Sequence, residues 1–157
     1  MNTIRRVVGR FRYGPVAALV LLALAATVRG DDDTSTVTVT VTGLRNHKGK
    51  VLVNLFKDKK GFPSDAERAQ ARKRVAIEGD SVEVRFDDVP RGTWAVGVLH
   101  DENGNRKLDK SFWGAPLEGY AASNNPEVRR GPPRFDKARF KVGDNPVKVT
   151  IRMVYLK

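Results

Sequence analysis

The stretch TVTVTVTGL at residues 36–44 alternates threonine with valine as far as Thr42. Successive side chains of a β-strand point to opposite faces, so Val37, Val39 and Val41 share one face and the threonines the other. β-Branched residues also favour extended backbone. The stretch therefore predicts a strand with one face on an apolar core.

Segments of the same character recur along the chain, separated by turn residues. They are KVLVNLF (50–56), VAIEG (75–79), SVEVRF (81–86), TWAVGVLH (93–100), ARFKV (138–142) and VKVTIRMVYL (147–156). Such spacing predicts an all-β fold, an antiparallel β-sandwich of about seven strands, with a small barrel as the alternative. We expect the first two strands to form a hairpin and the very apolar 93–100 to be central.

One short helix and one long loop interrupt these strands. Ser64 and Glu67 have the spacing of a capping box, which predicts a short helix or a helical turn within SDAERAQARKR at 64–74. Residues 101–134 show no periodicity, and a loop of this length is usually functional or disordered. Its aromatic and proline residues favour a long ordered loop.

The N-terminal region differs from the rest in composition. Residues 1–14 are basic, 15–28 are apolar apart from Thr27, and three aspartates follow at 31–33. This order is typical of a secretory signal peptide, and the apolar run is shorter than the about 20 residues of a membrane span. We predict a signal peptide at 1–30, a flexible N-terminus at 31–35 and one domain at 36–157. The protein would be exported, periplasmic or extracellular, with an uncleaved anchor as the alternative.

The composition of the chain limits the partners and metal ligands that we expect. Basic residues exceed acidic ones but are dispersed, and no nucleic-acid-binding motif appears, so we expect no nucleic acid partner. The chain has no cysteine and two histidines, which leaves oxygen or histidine ligands for any metal and excludes a three-histidine zinc site. After signal cleavage we expect no membrane span.

The segment HDENGNRKLD at 100–109 carries oxygen donors at alternate positions. Its spacing matches positions 1, 3, 5, 7 and 9 of a calcium loop, filled by Asp101, Asn103, Asn105, the Lys107 carbonyl and Asp109. This pattern predicts a weak Ca²⁺ site of the extracellular kind. The alternative is a polar loop in which these side chains bond their own backbone.

Two positions of this loop depart from the calcium pattern. Arg106 stands where a glycine makes the sharp turn, and Phe112 stands where a bidentate glutamate is expected. Glu118 is the candidate for the missing carboxylate ligand. A catalytic alternative uses His100, Asp101 and Glu118 as the acid and base groups of a small secreted hydrolase or lyase. Common hydrolase and nucleotide-binding motifs are absent.

The two tryptophans suggest different roles. Trp94 opens the central strand and is expected in the core. Trp113 lies beside Phe112 in the long loop, where we expect it to pin the loop to the sandwich, with ligand stacking as the alternative. The candidate ligand surface comprises His100, Trp113, Tyr120 and Asn124.

The chain from about Gly43 to Leu156 resembles the bacterial secreted family called domain of unknown function 2141, and the most specific part of this resemblance runs from Pro90 to Asn125. Residues that fall on the family pattern are Pro90, Gly92, Ala95, His100, Asp101, Asn103, Asn105, Asp109, Gly114, Pro116, Glu118, Gly119, Tyr120, Ser123, Asn124 and Asn125. Departures are Trp94, Arg106 and the pair Ala121-Ala122. The resemblance implies a sandwich similar to transthyretin-like or carboxypeptidase-regulatory-like domains, and it implies no reaction.

These observations predict an exported, non-enzymatic β-sandwich module. Its long loop would be ordered by Ca²⁺ or by an equivalent hydrogen-bond network. The loop would present a surface to a glycan, another envelope component or a protein.

Overall fold

The computed structural model describes residues 33–128 and 131–156. The strands in this part of the chain are β1 (Thr34–Thr42), β2 (Lys50–Phe56), β3 (Ala71–Ala76), β4 (Ser81–Pro90), β5 (Gly92–Asp101), β6 (Gly119–Ala122), β7 (Phe140–Val142) and β8 (Val147–Arg152). A 3₁₀ turn spans Ala66–Arg68, and a short helix, α1, spans Phe135–Ala138. The predicted signal peptide at 1–30 lies outside the described residues.

Two sheets form the sandwich. The smaller sheet has the order β4-β1-β8, and the larger has the order β3-β2-β5-β6, with β7 also paired to β5. Every pair is antiparallel except β1 with β8, which is parallel. The predicted all-β sandwich is therefore confirmed, with eight strands in the described residues and one parallel pair.

The predicted hairpin between the first two strands is wrong. β1 pairs with β4 and β8, whereas β2 pairs with β3 and β5, so the two strands lie in different sheets. The connection leaves β1 through Gly43, whose φ of 72° is the left-handed conformation that glycine adopts readily. Alternation shows which face a strand buries but not which strand lies beside it.

The core lies between the two sheets. Val37, Val39 and Val41 of β1 are fully buried, as predicted. They face an apolar layer of the larger sheet to which β5 contributes Trp94 and Val96. The Trp94 indole N–H donates to the Pro90 carbonyl at 2.8 Å, which satisfies its one polar group inside the core. The predictions that Trp94 is a core residue and that β5 is central are confirmed.

The short helix or helical turn predicted within 64–74 is a single 3₁₀ turn. Only Ala66–Arg68 makes a 3₁₀ turn, and its N-cap is Asp65, whose carboxylate accepts the N–H of Glu67, instead of Ser64. Residues Ala71–Ala76 form β3 because the β2 backbone offers an unpaired edge that this segment completes. The charged side chains of β3 are exposed, as is usual at a sheet edge. None of the described helices is long and apolar enough to cross a membrane.

The long segment after β5 is ordered in part by strand pairing. β6 lies within it and pairs with the last residues of β5, from Gly97 to His100. β6 begins at Gly119, where a Cβ would lie 2.3 Å from the Tyr155 ring. A side chain at this position would therefore clash with that ring. The segment therefore leaves the sheet at Asp101 and returns to the same strand at Gly119.

Candidate functional site

Asp101 is the last residue of β5, and its side chain is fully buried. Its two carboxylate oxygens accept the backbone N–H of Gly104 at 2.8 Å and of Arg106 at 3.1 Å. The Arg74 guanidinium lies 3.5 Å from the second oxygen. A buried carboxylate needs such partners because desolvation penalises an isolated charge. Asp101 thus fixes the first turn of the loop.

The other predicted donors converge on Asp109. The side-chain nitrogen of Asn103 donates to the Asp109 carboxylate at 2.5 Å, and that of Asn105 donates at 2.9 and 3.0 Å. The amide oxygens of the two asparagines accept the backbone N–H groups of Asn105 and Lys107. These are Asx-type turns, the alternative that the sequence left open. The side chains gather inward, and amide nitrogens face the carboxylate.

Glu118 closes the loop at its far end. Its side chain is 5% exposed, and its two oxygens accept the backbone N–H of Glu102 at 2.8 Å and of Asp109 at 3.2 Å. Bonds to an ionised acceptor are stronger than neutral ones. One side chain therefore holds the beginning and the end of the 102–109 segment together.

The fit of these residues to Ca²⁺ is incomplete. Oxygen donors are what calcium takes, and each carboxylate offers about four acceptor positions. Within the described residues, however, no three acidic, histidine or cysteine side chains are grouped to hold a metal ion. An ion beside Asp109 would also require Asn103 and Asn105 to present oxygen instead of nitrogen.

Arg106 adopts the left-handed backbone conformation that glycine usually adopts at this position of a calcium loop. Its φ is 66°, in the left-handed region. The conformation costs a non-glycine residue roughly 1–2 kcal/mol. The departure from the calcium-loop pattern therefore does not prevent the turn but makes it less favourable.

His100 is buried and fully hydrogen bonded. Nε2 lies 2.8 Å from the Lys48 carbonyl, which can only accept, so Nε2 carries the proton. Nδ1 then accepts from the Tyr155 hydroxyl at 2.7 Å. The same hydroxyl accepts the backbone N–H of Arg45 at 3.2 Å. With no exposed surface, His100 does not belong to an exposed ligand surface.

The catalytic alternative named His100, Asp101 and Glu118. All three side chains are buried, and each is held by backbone groups or by a fixed side chain. Such partners give each residue a structural role in joining β5 to the loop.

The segment 109–117 folds back on itself as a small hairpin. The N–H of Leu117 donates to the Asp109 carbonyl, and Ser111 and Ala115 are joined in the same way. At its tip Phe112 is 93% exposed and Trp113 is 89% exposed, with the ring centroids 5.1 Å apart and the planes at 84°. We call these two residues the aromatic tip. The expectation that Trp113 pins the loop to the sandwich is wrong.

The remaining predicted surface residues are placed differently. Tyr120 is 7% exposed, and burial raises the pKa of its phenol, which stays neutral. Asn124 is exposed but its side-chain nitrogen donates to the Arg139 carbonyl at 2.9 Å, so it supports the end of α1. Its φ of 63° is one that asparagine tolerates better than most residues.

Sequence reasoning missed two residues that organise the site. The Arg45 guanidinium pairs with Glu102 at 2.6 Å, donates to the Leu117 carbonyl at 2.9 Å and lies 4.7 Å from the centre of the Tyr155 ring. Ser123, fully buried, accepts the N–H of Val96 and donates to the Ala138 carbonyl. No sequence signal marks Arg45, whereas Ser123 lies on the family pattern.

The fold and this site define the class of protein: a β-sandwich domain with a polar loop fastened at the end of its central strand. The model of a bacterial family described as an uncharacterized protein conserved in bacteria, DUF2141, matches residues 39–150. The chain belongs to this family, as its resemblance predicted. No curated protein matches the chain.

Proposed function

We propose that the protein is an exported, non-enzymatic binding module that meets the anionic lipid surface of the bacterial envelope through its aromatic tip. The observation that carries the proposal is the exposure of Phe112 and Trp113 on a loop that is otherwise tied down. Exposed apolar side chains that adjoin one another can mark a site of interaction with a protein or a membrane.

The loop residues that resemble a catalytic set support a binding role. His100, Asp101 and Glu118 use their polar atoms to hold the loop. A loop fixed in this way presents its tip at little cost in conformational entropy on binding.

The chemistry of the tip favours lipid over glycan. The rings of Phe112 and Trp113 are nearly perpendicular, so they do not form the flat platform on which a sugar ring stacks. Aromatic side chains beside cations are typical of membrane interfaces. Lys107 and Lys110 lie on the same loop and are exposed. Together these groups suit an anionic headgroup layer.

The proposal is tested by vesicle flotation with the purified exported protein. We expect binding to phosphatidylglycerol vesicles and little binding to phosphatidylcholine vesicles. Removing either ring with Phe112→Ser or Trp113→Ser should weaken binding roughly tenfold or more, because a buried aromatic side chain contributes about 1.5–3 kcal/mol. Ala76→Ser, at an exposed apolar residue of the edge strand β3, is the control. Equal binding by all variants, or binding to isolated cell-wall glycan alone, would overturn the proposal.

A second proposal concerns Ca²⁺, and the inward convergence of the loop side chains favours it. Asp101, Asn103, Asn105, the Lys107 carbonyl and Asp109 would hold the ion, with Glu118 as a further carboxylate. Calcium would then take the place of the two amide N–H donors beside Asp109, with the amide oxygens of Asn103 and Asn105 turned toward the ion, and would stiffen the same loop. The hydrogen-bond network described above orders the loop in its own right.

A further inference from the structure

A cavity of about 470 Å³ lies on the outer face of the larger sheet. The cross-strand register places Leu52, Asn54, Leu99 and Tyr120 on this face, opposite the side that packs on the smaller sheet. These four residues form the cavity floor. The volume falls within the about 300–1,000 Å³ of small-molecule sites.

The walls of the cavity come from two loops. They include Phe62 and Pro63 of the β2–β3 connection and Trp113 of the aromatic tip. Phe62 is anchored by edge-to-face contacts with Phe56 at 5.4 Å and Phe135 at 5.7 Å. This anchored cluster covers the neighbouring part of the outer face, so the cavity is bounded and not an open sheet surface.

Asn54 is the polar feature of the floor. The residue is 6% exposed and lines the cavity. No described residue forms a hydrogen bond with its side-chain amide, whereas every neighbour on β2 is apolar apart from Lys50. The atoms of its amide are not sealed from solvent, so they are open to the cavity. The amide can therefore form a hydrogen bond with a polar group of an occupant.

The charged side chains among the described residues that line the cavity are basic. Arg106 and Lys110 line the cavity and are exposed, and no acidic side chain is among the described residues that line it. Neither cation has an acidic partner in the described part of the chain. An occupant with a negative group would satisfy both.

We infer that this cavity binds a small apolar acid that also carries a hydroxyl or amide group. The apolar body lies over Leu52 and Leu99 and against Trp113. The carboxylate lies beside Arg106 and Lys110, and the Asn54 amide bonds the additional polar group. This site goes beyond the proposed contact of the aromatic tip with lipid, since it encloses a single molecule.

The test uses β-hydroxydecanoate, decanoate and the methyl ester of the hydroxy acid as probes. Calorimetry with the purified exported protein at low salt should show saturable binding, tightest for β-hydroxydecanoate. Trp113 fluorescence should change on binding. Absence of saturable binding, or an ester that binds as tightly as the acid, would overturn the inference.

Variants separate the contributions of the lining residues. Asn54→Leu should lower the affinity for β-hydroxydecanoate roughly 2–10-fold, to that for decanoate, because one hydrogen bond is lost. The double variant Arg106→Gln, Lys110→Gln should weaken both acids and leave the ester unchanged. Near-ultraviolet circular dichroism checks that each variant keeps its packing. Unchanged discrimination between the acids in Asn54→Leu would show that the amide is not used.

Failure of this inference is distinguishable from failure of the proposed function. Phe112→Ser removes a ring that does not line the cavity, so it should weaken vesicle binding but leave binding of the acid intact. Asn54→Leu should weaken binding of β-hydroxydecanoate but leave vesicle binding intact. A cavity filled by a second copy of the chain would appear as a dimer in sedimentation that the acid does not dissociate, and this result would overturn the inference.

Discussion

The Tyr155 hydroxyl lies 2.7 Å from Nδ1 of His100 and joins the C-terminal segment to the end of β5. Because the Lys48 carbonyl takes the Nε2 proton, the tyrosine is the donor that completes the imidazole. Three parts of the chain that are far apart in sequence therefore meet at one buried ring. The residues that hold the loop in place therefore include Lys48 and Tyr155, which lie outside the loop.

Tyr155→Phe should lower the free energy of unfolding by about 1–3 kcal/mol, because the buried Nδ1 loses its donor. Urea denaturation measures the change. Tyr120→Phe is the matched control, and its loss should be smaller because its hydroxyl lies 3.4 Å from the Val128 carbonyl. Equal losses in the two variants would contradict the role given to the Tyr155 hydroxyl.

Glu118→Gln should lower the free energy of unfolding by about 1.5–3 kcal/mol, since a neutral amide replaces an ionised acceptor of two backbone bonds. Hydrogen exchange of the Glu102 and Asp109 amides should become faster. Glu83→Gln, on the exposed side of β4, should change stability by no more than about 0.5 kcal/mol. Unaltered exchange at both amides would contradict the bridging role.

Arg106→Gly should raise the free energy of unfolding by up to about 1 kcal/mol. The gain comes from relief of the left-handed conformation, and the greater freedom of glycine in the unfolded chain reduces it. Lys107→Gly, the neighbouring change at a residue without positive φ, should destabilise instead. A loss of stability in both variants would show that the Arg106 conformation carries no strain.

The stability of the protein should decrease in acid in a way that depends on Glu102. Burial raises the pKa of this carboxyl, but hydrogen bonds from Asn46 and Arg45 and the charge of Arg45 outweigh it, so the pKa lies below the ordinary 4.5. A lowered folded-state pKa stabilises the fold above the ordinary value, and that stabilisation is lost as the pH falls through the lower one.

Glu102→Gln should therefore flatten the pH dependence of unfolding below about pH 4.5. The comparison is made by urea denaturation at a series of pH values. Asp87→Asn is the control, because this carboxyl also has a lowered pKa, through its bond to Arg85, but is open to solvent. Identical curves for Glu102→Gln and the unmodified protein would contradict the prediction.

Calcium should raise the thermal stability of the protein if the loop takes the ion as proposed. At about 100 times its dissociation constant the gain is roughly 2.7 kcal/mol. Melts with chelator and with millimolar calcium measure it, and Asp109→Asn should reduce the difference. Identical melts together with no heat of ion binding would remove calcium and leave the hydrogen-bond network as the means of ordering the loop.

The alternating strands were predictable because a strand that buries one face carries an apolar residue at every second position. β1, β4, β5 and β8 therefore lie close to where the sequence indicated. Their neighbours were not predictable, since pairing depends on how loops cross between sheets. The predicted strand at 75–79 shares only Val75 and Ala76 with β3, because the charged residues before them are compatible with a helix and are extended by pairing with the open edge of β2.

The structure of the loop was likewise predictable only in part. The spacing of Asp101, Asn103, Asn105 and Asp109 indicated inward side chains, and they converge. The environment of Trp113 could not be read from its hydrophobicity, because a hairpin tip displays whatever residue stands at its turn. Asn54 gave a weak signal, because it is an amide within the apolar segment KVLVNLF. The face of the sheet on which it lies is known only when the strand register is known.

The parallel pairing of β1 with β8 affects when the smaller sheet can be completed as the chain is synthesised. Its middle strand, β1, comes first in the described residues, and the strand at one of its edges, β8, comes last. Until β8 has been synthesised, the smaller sheet has only its β4 side. The topology thereby postpones the final closure of the sandwich until this last strand is available.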